Sequence, residues 1–188
     1  MTNDRIEASR FKLRDNAKSW FKKIREKSKD MTVNDMRVKG LTIPTCLKTD
    51  FDIYYLCLLF GLADGRIGDV DNTSDFIDHF ESNYKSVSRL LIALLAMAEI
   101  SRQGFNFESK SDVREIMTKL IDTDQSTSLS GYGLGRFNQY ASGGFDVLTE
   151  SFESQPYHIE IFLQAYIKLV KEKIASNEDW LTFSTTES

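Results

Sequence analysis

Five of the chain's ten glycines fall in one stretch, GYGLGRFNQYASGGFDVLTESF, at residues 131–152. Glycines this dense can cradle a phosphate, form a hinge, or let two helix backbones touch. A dinucleotide fingerprint needs G-x-G-x-x-G after a strand. Here Gly131, Gly133 and Gly135 are spaced G-x-G-x-G, and Arg136 stands where the last glycine should be. The G-x-x-x-x-G-K-[ST] phosphate loop is absent as well. The helical reading fits better, because Phe137, Tyr140, Ala141, Gly144, Phe145, Leu148 and Phe152 keep a helical period straight through Gly143-Gly144. Two interior glycines cost a helix about 1 kcal/mol each relative to alanine, which is tolerable when the missing side chains admit another backbone. GYGLG is therefore expected to be a flexible lead-in and ASGG a close-packing notch. The backbone it receives belongs either to this chain or to a partner.

The other residues with chemical potential are weaker. Arg14, Lys18, Lys22, Arg25 and Lys29 form a narrow basic stripe able to track phosphates; otherwise it is a solvated face balanced by Asp15 and Glu26. DGRIGDVDNTSD, at 64–75, invites a calcium reading. Begun at Asp69, an EF-hand loop would have Ser74 at its sixth position and Phe80 at its twelfth; begun at Asp64, it would have Asp69 at its sixth. Both registers fail, which leaves an acidic turn. His79 and His158 are the only histidines and sit in no metalloprotease-type spacing. Cys46 and Cys57 lie 11 apart, without metal-ligand spacing, and Cys57 reads as a buried thiol. No carboxylate pair stands out in apolar surroundings as an acid/base couple should. The sequence thus offers no catalytic constellation, metal site or cofactor motif.

These residues must be positioned by helices. Leu13, Ala17, Trp20, Phe21 and Ile24 predict a basic N-terminal helix over about residues 12–29. Residues 30–49 lose this period, and Pro44 with its β-branched neighbours suggests a loop or a short extended piece. Residues 50–63 are apolar nearly all round, with Asp50 or Asp52 suited to the cap, and so are residues 87–103, closed by Gly104. Both read as central helices. Between them SDFIDHFESNY, from Ser74, reads as a short capped helix. Ser111 and Asp112 open an amphipathic helix, and Pro156 suits the first turn of a last one, carried by Ile159, Phe162, Leu163, Tyr166, Leu169, Val170 and Ile174. The tail 176–188 should fray. No alternating strand pattern persists beyond four or five residues. The expectation is an all-α fold, one compact domain of six or seven helices spanning residues 1–188.

Charge and composition bound the function. Residues 1–40 carry 12 Lys+Arg against 6 Asp+Glu, whereas residues 41–188 carry 12 against 22. An acidic body with a basic arm is no histone-like DNA coat, and implies at most weak, sequence-independent DNA binding through the stripe. The longest near-apolar run, residues 90–98, is far short of the ~20 needed to span a bilayer. With no signal-type N-terminus and no disulfide framework, the expected compartment is the cytoplasm.

Two stretches carry a resemblance. FDIYYLCLLFGLADGR at 51–66, with Gly61, Gly65 and Arg66, and LGRFNQYASGGFDVLTESF at 134–152 resemble segments of small accessory proteins of bacterial anti-phage DNA-defence systems. The two systems in question are the Lamassu-type small subunit and the DNA-phosphorothioation (Dnd) accessory proteins. The resemblance implies a non-catalytic subunit docking onto a larger SMC-like ATPase or nuclease effector; it carries over no catalytic residue. Surplus aromatic side chains also favour docking: Tyr54, Tyr55, Phe145, Phe152, Trp180 and Phe183. The expected partner-binding residues are Tyr54, Tyr55, Tyr140, Gly143, Gly144 and Phe145. The alternative expectation is a DNA-binding protein using Arg14, Lys18, Lys22, Arg25 and Lys29.

Overall fold

The computed structural model describes residues 6–27 and 47–176. In chain order the elements are β1 (Phe11–Arg14), α1 (Asp15–Trp20), α2 (Lys22–Lys27), α3 (Asp50–Asp64), β2 (Thr73–Ile77), a 3-10 turn (Ser82–Tyr84), α4 (Ser88–Arg102), α5 (Lys110–Leu120), α6 (Gly131–Ser151) and α7 (Ile159–Ser176). The fold is mostly helical, as expected, but β1 and β2 form a two-stranded antiparallel sheet, so it is not strictly all-α.

The centre is the pairing of α3 with α6. α3 starts at a complete capping box, in which Asp52 N–H donates to Thr49 Oγ1 at 3.2 Å and Thr49 N–H to Asp52 Oδ2 at 2.8 Å. It ends at Gly65 with φ +72, a left-handed cap that glycine adopts without strain. α6 starts at Ser130, whose Oγ accepts from Gly133 N–H at 3.0 Å. The two helices meet backbone to backbone. A Cβ placed on Gly61 would lie 2.8 Å from the Tyr140 carbonyl carbon, and one on Gly144 would lie 2.9 Å from that of Cys57. Real side chains never come so close, so glycine is required on both surfaces. The notch is thus internal. GYGLG is no lead-in either, because it forms the first turn of α6, and Gly133 and Gly135 press against the backbones of Leu120 and Ile6.

The remaining elements wrap this pair. β1 lies across α6 and pairs with β2 in the register Phe11↔Ile77, Lys12↔Asp75, Leu13↔Ser74 and Arg14↔Thr73, with an irregularity after Phe11. Phe11 and Leu13 point inward and are buried, the alternation of a half-buried strand. The predicted helix over 12–29 is therefore corrected: its first residues are strand, and α1 and α2 continue the apolar face through Ala17, Trp20, Phe21 and Ile24. The predicted helix from Ser74 is also corrected, since residues 73–77 are β2 and only residues 82–84 turn helically. The cause is the same in both cases. Strand hydrogen bonds come from a partner about sixty residues away, and local periodicity does not report it.

α4 is less central than its composition suggests. Leu91, Leu95 and Ile100 are buried, but Leu90 is 59% exposed and Leu94 is only half-buried. α7 begins at Ile159, three residues after Pro156. It rests on α3 through Phe162 and Tyr166, whose hydroxyl donates to the Leu56 carbonyl at 2.7 Å. Lys29, the loop expected at 30–49 as far as residue 46, and Trp180 and Phe183 of the tail lie outside the described residues.

The seam predicts a stability effect. Gly144→Ala adds one methyl where only backbone lies opposite, so thermal melting should show a loss of about 1–3 kcal/mol or more. Gly65→Ala meets no neighbour and should cost only the strain of a positive φ, about 1 kcal/mol.

Candidate functional site

The residues expected to bind a partner or DNA are mostly spent on the fold. Tyr54, Tyr140, Gly143, Gly144 and Phe145 are buried, and only Tyr55 is half-exposed. Gly143 faces the Arg66–Gly68 turn, where Gly68 N–H donates to the Gln139 carbonyl at 2.8 Å. The Tyr54 hydroxyl donates to Asn138 Oδ1 at 3.1 Å. The same Asn138 oxygen accepts from Lys12 N–H at 3.0 Å, while its amide donates to the Arg10 carbonyl at 3.0 Å. A buried asparagine thus completes the ladder of β1 as a neighbouring strand would. These residues are corrected from docking surface to core; a partner would have to open the α3–α6 seam to reach them.

The basic stripe is likewise neutralised from within. Arg14 Nη2 lies 3.1 Å from Asp146 Oδ1, and its Nη1 donates to Ser142 Oγ at 3.3 Å. Lys18 Nζ and Arg25 Nη1 converge on the two oxygens of Asp50, at 2.6 and 2.9 Å. Burial works to raise the Asp50 pKa, but the Lys18 and Arg25 charges hold it below the usual carboxylate range. Lys22 is exposed and also has a partner. Arg14 thus pins the end of β1 to α6, while Lys18 and Arg25 pin α1 and α2 to α3.

Sequence reasoning missed a buried ionic cluster. Glu99 of α4 is fully buried and accepts from Arg136 Nη2 at 2.6 Å, Arg136 Nε at 3.0 Å, the Tyr140 hydroxyl at 3.0 Å, and Arg102 Nε and Nη2, each at 3.0 Å. Burial works to raise the Glu99 pKa, but Arg102 and Arg136 outweigh it and keep the carboxylate ionised. Burial first, then the Glu99 charge, pushes the Tyr140 phenol well above its ordinary value. A general acid or base needs a pKa near the working pH and a lone pair or proton free for substrate. Glu99 has neither, so the cluster is a clamp joining α4 to α6. Its sequence signal was the isolated glutamate in LLIALLAMAEISR and the arginine inside the glycine helix, since a charge on an apolar helix must find a counter-charge.

One apolar surface is only partly covered among the described residues. On α7, Leu163, Ile167, Val170 and Ile174 recur at i, i+4, i+7 and i+11, a stripe beside the Phe162–Tyr166 face. Leu163 and Val170 are half-buried, while Ile167 is 51% and Ile174 42% exposed. Ile174, expected among the residues that carry this helix, lies on its outer stripe. Among the described residues no group of His, Cys, Asp and Glu could hold a metal ion, and no helix is long and apolar enough to cross a membrane.

No family model, curated protein or solved structure matches the chain.

The clamp carries a double prediction. Glu99→Ala leaves Arg136 buried without its carboxylate and should cost about 3–5 kcal/mol by denaturant unfolding; Glu99→Leu with Arg136→Met should recover much of that loss. Glu99 and Asp50 both have depressed pKa values in the folded state. Their stabilisation is complete above the unfolded values, about 4.3 for Glu and 3.9 for Asp, and is lost as pH falls through the lower folded values. The melting temperature should hold from neutrality to about pH 5 and drop below about pH 4.

Proposed function

We propose that this chain is a non-catalytic accessory subunit of a cytoplasmic DNA-defence complex, and that it docks through α7 onto a larger SMC-like ATPase or nuclease effector. The supporting observation is the outer edge of the Leu163–Ile167–Val170–Ile174 stripe, where Ile167 is 51% and Ile174 42% exposed while Leu163 and Val170 pack against the core. An amphipathic helix of 18 residues, with anchors at i, i+4, i+7 and i+11, suits an apolar groove on a partner. The flanking charges Glu160, Lys168, Lys171 and Glu172 mix signs, as a solvated interface rim does. The resemblance of residues 51–66 and 134–152 to defence accessory proteins supports the class of partner. The absence of a free acid/base group from the ionic clusters described favours binding over chemistry.

Direct DNA binding through residues 12–29 is the weaker reading, because Arg14, Lys18 and Arg25 already serve Asp146 and Asp50. A backbone phosphate would have to displace those carboxylates.

A tagged chain, expressed with its neighbouring genes, should co-purify with an encoded ATPase or nuclease. Ile167→Asp with Ile174→Asp should abolish that association and shift stability by no more than about 1 kcal/mol, since both side chains are substantially exposed. Undiminished co-purification of the double variant would refute docking through α7.

A further inference from the structure

A cleft of about 770 Å³ lies between the start of α4, the His79–Phe80 segment, the end of α5 and the loop 123–128. Its size is that of small-molecule sites, about 300–1,000 Å³. One part of its wall is cationic, with Lys85 and Arg89, and His79 lies beside them. Among the described residues neither Lys85 nor Arg89 has an acidic partner, in contrast to Arg14, Lys18, Arg66 and Arg136. His79 Nδ1 lies 2.7 Å from Asp78 Oδ1, which leaves Nε2 for a ligand. The first turn of α4 has no acidic residue and no side-chain cap, so its N–H groups add positive potential beside Arg89.

The loop adds hydroxyls on a fixed frame. Asp122 N–H donates to the Ser128 carbonyl at 3.3 Å, and Ser128 N–H to that of Gln125 at 2.9 Å. Ser128 has φ +59, the only positive φ outside glycine among the described residues. Thr123 and Ser128 hydroxyls line the cleft without partners among the described residues. Phe80, Ile92, Met117 and Ile121 supply the apolar part of the wall.

We propose that this cleft binds a nucleoside monophosphate, with the phosphate on Lys85, Arg89 and the Ser128 loop and the base on Met117 and Ile92. A phosphate monoester carries about −1.5 to −2 charge at neutral pH, which matches the two unpaired cations. A guanidinium fork pairs with phosphate oxygens in bidentate fashion. A planar base suits a floor of one aliphatic and one thioether side chain, because methionine sulfur packs favourably on aromatic rings. The inference stands apart from docking through α7, which involves none of these residues.

Calorimetric titration of the full chain with AMP, CMP, GMP and UMP, with the parent nucleosides and with inorganic phosphate tests it. At least one monophosphate should bind about tenfold or more tighter than both its nucleoside and inorganic phosphate. Lys85→Gln with Arg89→Gln should weaken that binding at least about tenfold, with an unchanged melting temperature because both side chains are exposed. Met117→Ala should narrow the gap between nucleotide and inorganic phosphate. The proposal is overturned if no monophosphate saturates the protein below about 10 mM, if inorganic phosphate binds as well as the nucleotides, or if the double variant binds like the native chain.

Discussion

Everything in this fold is arranged around two helix backbones in contact. Gly61 on α3 and Gly144 on α6 remove the side chains that would hold the helices apart. The approach brings Tyr54, Cys57, Phe137, Tyr140, Phe145 and Leu148 into one buried layer. Glycine weakens each helix on its own, and the shared layer offsets that cost through close packing. The seam also fixes the turn after α3, because Gly68 fits against Gly143. That turn in turn sets where β2 begins and where β1 can lie.

Polar groups extend the same arrangement outward. Glu99 ties α4 to α6, Asn138 holds β1, and Asp50 gathers the cations of α1 and α2. Each sits where an apolar side chain could pack but could not choose a register. The net acidity of residues 41–188 acquires a structural meaning here, since Asp50 and Asp146 receive the cations of the N-terminal arm. Groups that could have met phosphate are used within the chain. Lys85 and Arg89, which have no acidic partner among the described residues, line a cleft beside α4 instead.

Much of this was legible in the sequence where the cause is local. The period from Phe137 to Phe152 runs through two glycines, and α6 follows it; Gly104 closes α4 at φ +67. What was not legible depends on partners distant in sequence. FKLR and TSDFI are strands only because each supplies the other's hydrogen bonds. The periodicity of Leu13, Ala17 and Trp20 was real, but Leu13 reaches the core from a strand. The roles of Tyr54 and Tyr140 were misjudged because surplus aromatic content looks the same whether a neighbouring helix or another protein covers it. Glu99 and Arg136, 37 residues apart, each read as an oddity alone and make sense only as a pair.

The bond between Lys12 and Asn138 spans 126 residues, and this has a consequence for biosynthesis. At about 5–20 residues per second, a ribosome needs roughly 6–25 s to make the intervening chain. Throughout that interval β1 has no α6 to lie on. β2 emerges earlier, but a lone two-stranded ribbon is marginal in water. Phe11 and Leu13, which end fully enclosed, thus wait for part of their surroundings, as do Trp20 and Phe21, which pack against Phe162 of α7. Strand β1 is thus made well before the helix it lies on, and its apolar residues are a natural point of engagement for chaperones acting on the nascent chain.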